Sequence, residues 1–280
     1  MRVEGWHTTL REPLDDPRRI VSIAPSNTEI LHALGLGRRI VGVDRWSDYP
    51  PRVRELPCVG SDLRVDIDRV AALQPDVVVA SLHVPGMEHN LPAMQAAGLN
   101  YVAVGGQGLE GVWQDMRFIG QHLGRAARAD KLVHDTRARM AEVAARFGSL
   151  AVERRPRVHW EWSAHPYVAG RRSWITEILE MAGALNAYDD LDVESVRVTQ
   201  AEAIARQPDV VVACWCGART LPTVDRICRR PGWPGWEDTP AVRGRQVAVF
   251  SEALFGRPGP RLADGLAALV PLLHPAASSA

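Results

Sequence analysis

The feature that most constrains this chain is a heptapeptide that it contains twice. The sequence Gln-Pro-Asp-Val-Val-Val-Ala occupies residues 74–80 and recurs at residues 207–213. Each copy follows a short amphipathic stretch and ends in a run of valines, which predicts a helix, a Pro-Asp turn and a strand covered on both faces. Such strands are typical of parallel sheets that lie between helices, so each copy indicates one α/β unit.

A second repeat lies upstream of each heptapeptide. The tetrapeptide Thr-Glu-Ile-Leu at 28–31 is followed by Gly35, and the same tetrapeptide at 176–179 is followed by Gly183. We predict that each tetrapeptide lies early in a helix that ends at its glycine, because glycine adopts the left-handed conformation of a C-cap at little cost. The shared order indicates a duplication; the alternative is that any two β–α units have such patterns in common.

One long helix is predicted between the two halves. Residues 125–147 carry a single apolar stripe with a spacing of three or four residues, formed by Ala129, Leu132, Val133, Thr136, Met140, Val143 and Phe147. A helix of about 22 residues spans about 33 Å, enough to connect two lobes. We therefore predict an α/β fold of two Rossmann-like lobes with parallel-rich sheets, joined by one long backbone helix. The predicted N-terminal lobe is 18–122, the linking helix 123–150 and the C-terminal lobe 151–275.

Charge and hydropathy narrow the range of partners. The chain has 33 Lys and Arg against 33 Asp and Glu, so it lacks the overall basic charge on which nucleic-acid binding depends. Its apolar stretches are the length of strands and far below the roughly 20 residues of a membrane span. The N-terminal residues contain no apolar segment of the kind that a secretory signal needs. We therefore expect a monomer without nucleic-acid binding or membrane insertion, located in the cytoplasm.

Tryptophans mark the expected ligand site. Ligands of parallel α/β sheets bind beyond the carboxyl ends of the strands. The chain has nine Trp against four Phe and four Tyr, and four of the tryptophans fall at or next to predicted carboxyl ends: Trp46, Trp160, Trp162 and Trp215. Since Trp offers a large rigid face and one N–H donor, several of them around one cleft favour a large, flat, partly apolar ligand. The alternative for each one is a place in the core.

Polar residues in the same loops are further candidates. Ser26 and Asn27 begin a predicted helix, where they either cap it or let its free N–H groups face a ligand. His83 is the leading candidate to donate to a metal held in a macrocycle, although no histidine pair has the spacing of a zinc site. Three other candidates share these loops: Pro85, Arg171 and Cys216.

Nucleophile elbow, phosphate-loop and dinucleotide motifs are absent, so we predict no catalytic residue, catalytic cofactor or metal site.

Several segments, taken in order, resemble one protein family. They are Ile-Ala-Pro-Ser-Asn-Thr-Glu at 23–29, Trp-Ser-Asp-Tyr-Pro-Pro at 46–51, the two heptapeptides, Gly-Arg-Arg-Ser-Trp at 170–174 and Phe-Gly-Arg-Pro-Gly-Pro-Arg at 255–261. Over residues 18–275 the chain resembles the helical-backbone (class III) family of periplasmic, ABC-transporter substrate-binding proteins, and within it the vitamin B12-binding branch. The resemblance implies two lobes with a corrinoid held between them. It also implies cleft positions for Ser26, Asn27, Trp46, Phe255 and Arg257.

These observations predict non-covalent binding of cobalamin or a related corrinoid in the cleft between the lobes, by a protein that is not an enzyme. The corrinoid would be the ligand and the only cofactor. One alternative is the iron-siderophore, haem or metal-ion binding component of an ABC importer. Another is a corrinoid-modifying enzyme, in which Cys216 would act as a thiolate or an axial ligand.

Two departures from the family pattern affect the predicted partner. The resemblance implies one acidic residue on each lobe that docks to arginines of a membrane permease. The first lobe has Asp68 there, whereas the second has Ala201 with Glu202 beside it. Together with the missing export signal, this favours a cytoplasmic carrier over a component of an ABC permease system. The alternative is a periplasmic or cell-surface component whose leader is missing.

Overall fold

The computed structural model describes residues 5–218 and 220–275. The chain divides into two compact units, Met1–Thr136 with Pro258–Pro260, and Arg137–Arg257 with Arg261–Ala280. The division falls inside one 22-residue helix, Ala126–Phe147, which begins in the first unit and ends in the second. This helix has nearly the bounds that its apolar stripe predicts. The lobe boundaries 18–122, 123–150 and 151–275 stay a prediction.

The first unit is built on a parallel sheet with one antiparallel edge strand. Its strands are β1 His7–Thr8, β2 Ile20–Ser22, β3 Ile40–Val43, β4 Gly60–Ser61, β5 Arg64–Val65, β6 Val77–Ser81 and β7 Tyr101–Val104. Its helices are α1 Pro25–Ala33, α2 Ile67–Ala72, α3 Asn90–Ala96 and α4 Gly108–His122, followed by the long helix α5 Ala126–Phe147. The strand order is β1-β7-β6-β2-β3, with β1 antiparallel to β7, while β4 and β5 form a separate hairpin.

The second unit has a parallel centre and an antiparallel extension. Its strands are β8 Arg157–Ser163, β9 Tyr167–Ala169, β10 Leu185–Asn186, β11 Ser195–Arg197, β12 Val210–Ala213 and β13 Val247–Val249. Its helices are α6 Trp174–Met181, α7 Gln200–Ala205, α8 Val224–Arg229, α9 Pro240–Arg243, α10 Glu252–Phe255 and α11 Leu262–Leu273. The main path is β11-β9-β8-β12-β13, and β10 pairs with β8. The predicted α/β class with parallel-rich sheets is confirmed.

The two heptapeptides adopt the same structure. Gln74 and Gln207 both have a φ of 45°, and each is followed by its Pro-Asp turn and its buried strand. The Asp76 carboxylate accepts the backbone N–H of Arg19 at 2.9 Å, and the Asp209 carboxylate accepts that of Arg157 at 2.8 Å. Both aspartates thereby tie the repeat to the start of the neighbouring parallel strand. The repeat thus specifies a turn as well as a strand.

Both tetrapeptide helices end as predicted. Gly35 follows α1 with a φ of 77°, and Gly183 follows α6 with a φ of 69°. The residue after each glycine closes the helix end by donating its backbone N–H to the carbonyl of the tetrapeptide's leucine. Leu36 donates to Leu31 at 2.9 Å, and Ala184 donates to Leu179 at 2.8 Å. The glycine C-caps are therefore confirmed in both units.

Five of the seven residues of the predicted stripe along α5 are buried, and the other two, Leu132 and Val143, are half-buried. Ala129, Val133, Thr136, Met140 and Phe147 are all buried, while the residues between them are mostly exposed. A helix with one apolar stripe stays in place by burying that stripe, and its other sides remain in solvent.

Candidate ligand-binding surfaces

The first candidate surface begins where β2 leads into α1. Thr28 joins the hydroxyl of Ser22 at 2.8 Å to that of Ser47 at 2.7 Å. Ser47 in turn donates to the carboxylate of Asp44 at 2.5 Å. These bonds hold the loop after β2 against the loop after β3, so the two carboxyl-end loops form one ordered surface of the first unit.

Ser26 and Asn27 lie in the first turn of α1 and are buried. Neither makes a side-chain cap, since the N-cap position is Ala24. Both polar atoms of the Asn27 amide lack a hydrogen-bond partner among the described residues. Leaving a buried polar group unpaired costs about 1–3 kcal/mol, which is consistent with a partner supplied from outside the chain. Contact of Ser26 and Asn27 with ligand stays a prediction.

Trp46 follows β3 at its carboxyl end and is half-buried. The side chain of Asp62, in the β4–β5 hairpin, lies near that of Trp46. Burial raises the pKa of Asp62, and the N–H groups of Leu63 and Trp46 partly oppose that rise. Asn90 anchors the hairpin by donating to the Asp62 carbonyl at 2.7 Å. The exposed Leu63 adds apolar surface in the same hairpin.

The sequence prediction did not include Asp62 or Leu63. Their hairpin is only two residues long on each strand, and no alternation of polar and apolar residues can mark so short an element. The glycine that opens it, Gly60 with a φ of 110°, was the one available signal of a sharp turn.

His83 lies in the loop after β6 and is held by a buried carboxylate. Its Nε2 atom is 2.7 Å from Oδ2 of Asp115, on α4. The other oxygen of Asp115 accepts the backbone N–H of Gly106 at 3.1 Å and the indole N–H of Trp6 at 2.7 Å. An Asp partner fixes the orientation of an imidazole, as it does for histidines that bind metals. Pro85 is exposed two residues further along the loop.

In the second unit, Trp215 follows β12 at its carboxyl end and is also half-buried. Its indole N–H donates to Oε1 of Glu161 at 2.9 Å. The guanidinium of Arg226 lies over the Trp215 ring, 5.6 Å from its centroid. The ring is thus held at its nitrogen and covered by a cation.

Glu161 is a fully buried carboxylate on β8. Arg230 donates to its Oε1 atom, and Nε2 of His159 lies 3.2 Å from Oε2. Burial acts to raise the pKa of Glu161, but the His159 hydrogen bond and the Arg230 charge outweigh burial and hold that pKa below its ordinary value of 4.5. Arg230 itself lies over the rings of Trp233 and Trp236, at 4.4 and 4.8 Å. The carboxylate is therefore compensated by charge and by hydrogen bonds.

The structure corrects the predicted ligand contacts of Trp160 and Phe255. Both side chains are fully buried within the second unit, and their rings meet edge to face at 4.8 Å. The backbone carbonyl of Phe255 accepts the indole N–H of the buried Trp174 at 2.8 Å. Strand β8 continues to Ser163, so Trp160 lies inside the strand and away from its end. Trp162, two residues closer to the end, is half-buried and stays a predicted contact.

Two of the other predicted residues of the second unit lie in neighbouring loops. Cys216 is exposed, and the backbone N–H of the next residue, Gly217, donates to the Glu252 carboxylate at 2.5 Å. Arg257 is buried with its Nη2 atom 3.8 Å from the same carboxylate. Arg171 is exposed and instead donates to the carbonyl of Asp189 at 2.6 Å. Glu252, which joins Gly217 to Arg257, was not among the predicted residues.

The two predicted docking acids differ in their surroundings. Asp68 is exposed in the first turn of α2. Glu202 lies in the first turn of α7, where its carboxylate is 3.1 Å from the guanidinium of Arg206. Arg206 also pairs with Asp190. Glu202 is therefore engaged within its own unit.

Across residues 5–218 and 220–275, no three His, Cys, Asp or Glu side chains are grouped as metal ligands would be. None of the helices in this part of the chain combines the length and the hydropathy that a membrane span requires.

The sequence matches the family described as periplasmic binding protein over residues 20–254. The chain belongs to this family. An ABC transporter substrate-binding lipoprotein of Bacillus subtilis strain 168 is 30% identical to it over 266 residues, 93% of this chain and 81% of that protein. The vitamin B12-binding protein of Vibrio cholerae is 24% identical over 89% of this chain and 86% of its own length.

A solved structure gives the same result. The periplasmic heme-binding protein of Roseiflexus sp. RS-1 superposes with a TM-score of 0.78 at 30% identity, covering 93% of this chain and 99% of that one. The family resemblance inferred from the motifs is thereby confirmed, and so is the assignment to a family of binding proteins. The expected cytoplasmic location is wrong, because these relatives are named as periplasmic proteins or as a lipoprotein of an ABC transporter.

Proposed function

We propose that this protein reversibly binds cobalamin or a related corrinoid and delivers it to an ABC permease. The observation that carries the proposal is a half-buried tryptophan at a carboxyl end of the sheet in each unit, Trp46 and Trp215. The indole N–H of Trp215 is bound to the Glu161 carboxylate and Arg226 lies over its ring, so the part of that ring that stays exposed and the half-buried ring of Trp46 are the groups that we propose to contact a ligand. Large rigid apolar faces suit a macrocycle better than a small hydrated ion.

The names of two relatives support a macrocyclic ligand, which is either vitamin B12 or haem. The Vibrio cholerae relative is named for vitamin B12, whereas the Roseiflexus structure is named for haem. Haem is the second candidate, and the Roseiflexus protein is the more similar of the two, at 30% identity against 24%. His83 is the group that we propose would donate to the central metal of either macrocycle; its side chain is buried with Nε2 held by Asp115, so the imidazole would have to turn outward to do so.

We propose binding without covalent chemistry. The family to which the chain belongs is one of binding proteins. The thiol of Cys216 is exposed, and among the candidate residues it is the one that could serve as an axial sulfur ligand in the alternative of a corrinoid-modifying enzyme. A corrinoid spectrum that is the same in wild type and Cys216→Ser would argue against that alternative.

The deciding experiment is a titration of the purified protein with cyanocobalamin, cobinamide and hemin, each followed by calorimetry and by absorbance after desalting. We expect heat and a retained corrinoid spectrum with cyanocobalamin. If the protein binds hemin and neither corrinoid, haem takes the place of cobalamin as the proposed ligand. No heat with any of the three would remove the macrocycle proposal, and metal analysis of the protein as purified would then test a siderophore or metal-ion ligand.

A further inference from the structure

The segment before β1 brings a tryptophan to the edge of the first sheet at which ligands are expected. Strand β1 runs antiparallel to β7, and extending its register by one residue places Trp6 opposite Val104, the last residue of β7. The carbonyl oxygen of Gly5 lies 3.4 Å from the position that a Cβ atom on Gly105 would occupy, so this segment runs beside the loop after β7. Trp6 therefore lies at the carboxyl edge, where α/β sheets bind ligands.

A buried carboxylate joins Trp6 to the loops after β6 and β7. The indole N–H of Trp6 donates to Oδ1 of Asp115 at 2.7 Å, and Nε2 of His83 is 2.7 Å from Oδ2 of the same side chain. The backbone N–H of Gly106 also donates to Oδ1, at 3.1 Å. Trp6 is thus held in place next to His83, the residue proposed to donate to the metal of the macrocycle.

The indole of Trp6 is open to solvent although it is fixed. Trp6 is 37% exposed, whereas the other eight tryptophans are buried or half-buried. Its N–H group is taken up by Asp115, so the group that it offers to a ligand is the exposed part of its ring. A ring that is already held avoids much of the entropy loss of ordering when a ligand packs against it.

Other exposed apolar side chains surround the same loop. Val84, which follows His83, is 43% exposed. Leu63 is 48% exposed, and its Cδ2 atom lies 3.3 Å from the position that a Cβ atom on Gly86 would occupy. Trp6, Val84 and Leu63 come from three separate segments, and apolar side chains gathered in this way are typical of a binding surface.

We propose that Trp6 is a further ligand contact, which extends the apolar surface around His83 and packs against the macrocycle. This inference rests on the proposed function. A large flat ligand can cover apolar side chains from several segments at once, whereas a small hydrated ion cannot.

The direct test uses the wild-type protein saturated with cyanocobalamin. Nuclear Overhauser spectra should show contacts between the ring protons of Trp6, assigned with the help of Trp6→Phe, and protons of the corrinoid. Zinc protoporphyrin, which is diamagnetic, replaces cyanocobalamin if hemin is the macrocycle that binds. A saturated complex without any such contact would overturn the proposal, and this result does not depend on how well a variant folds.

Two variants separate the ring of Trp6 from its hydrogen bond. Trp6→Ala removes both, whereas Trp6→Phe keeps an aromatic ring and loses only the N–H that binds Asp115. By calorimetry we expect Trp6→Ala to lower the affinity about threefold to tenfold and Trp6→Phe to retain most of it, because the ring meets the ligand. An equal loss in both variants would mean that Trp6 acts through Asp115 and His83, which would overturn the contact.

The matched control is Phe118→Ala, which removes a half-buried aromatic ring of the same unit and should leave the affinity unchanged. Unchanged affinity in Trp6→Ala, with wild-type binding intact, would overturn the role of Trp6 and leave the proposed function in place. If the wild-type protein binds none of cyanocobalamin, cobinamide and hemin, the proposed function fails and the role of Trp6 fails with it.

Discussion

Strands β6 and β12 are made by the same heptapeptide, and they pair in parallel with β2 and β8, respectively. In the first unit, Val78 lies opposite Val21 on β2. In the second, the matching Val211 lies opposite His159 on β8. Two residues further along, Ile23 in the first unit takes the place of Glu161 in the second. Identical strands thus have an apolar neighbour in one unit and a polar, charged neighbour in the other.

This difference shows what a parallel α/β frame tolerates. Ile23 is buried among other apolar side chains, including Leu82 and Met94. Glu161 is equally buried, yet Arg230 and His159 compensate its charge. A buried acid is stable only with such partners, so the second unit needs groups that the first does not. Trp215, which donates to the same carboxylate, is also a proposed ligand contact.

The largest effect is expected from Glu161→Ala. It leaves Arg230 buried without its acid, and breaking a buried ion pair in this way costs about 3–5 kcal/mol of unfolding free energy. Urea unfolding measures the change. Replacing both Glu161 and Arg230 by leucine should recover most of the loss, because no charge then remains buried without a partner. A loss below about 1 kcal/mol in Glu161→Ala would mean that the pair is not essential to the second unit.

The next effect concerns the ligand. Trp46→Ala and Trp215→Ala should each weaken corrinoid binding by about 1–3 kcal/mol, because each removes a large apolar face. Isothermal calorimetry with cyanocobalamin provides the measurement. The control is Phe118→Ala, a half-buried aromatic near the end of α4 whose ring contacts that of His122 at a tilt of 44°. Unchanged affinity for both tryptophan variants would make these residues structural.

A smaller effect is expected on acidification. The folded protein holds the pKa of Glu161 below its ordinary value of 4.5. The stability from its charge is therefore complete above pH 4.5 and is lost as the pH falls through the folded pKa. Urea unfolding of wild type and Glu161→Gln at several pH values tests this. The wild-type advantage should shrink below about pH 4.5, and a difference that does not vary with pH would show that Glu161 is not ionised in the fold.

The smallest effect concerns the acids proposed to dock to a permease. Asp68 is exposed, whereas Glu202 already pairs with Arg206. We expect Asp68→Ala to weaken binding to permease in nanodiscs by about 1 kcal/mol or less, as for other exposed ion pairs, and Glu202→Ala to have less effect. Both should bind cyanocobalamin like wild type. If Glu202→Ala weakens permease binding more than Asp68→Ala does, the proposed unequal roles of the two units are contradicted.

Much of the fold could be predicted because it depends on local patterns. The valine runs, the Pro-Asp turns, the glycines at 35 and 183 and the stripe on 126–147 each act within a few residues of sequence. These patterns were enough to predict two similar units, their parallel sheets and the long helix that the two units share. The antiparallel pairs β1–β7 and β9–β11 were not predicted, because short edge strands carry too few residues to show a period.

The candidate site residues also divide into those that local sequence patterns predicted and those that only the tertiary structure decided. The sequence alone determined which loops follow the strands, and so placed Trp46, Trp162 and Trp215 near carboxyl ends. Only the tertiary structure decided that Trp160 and Phe255 are core residues, since their burial depends on where β8 ends and on what packs over it. Likewise, Asp115 and Arg230 become partners of His83 and Glu161 across 32 and 69 residues of chain. No sequence period encodes contacts at such separations, because only packing brings those residues together.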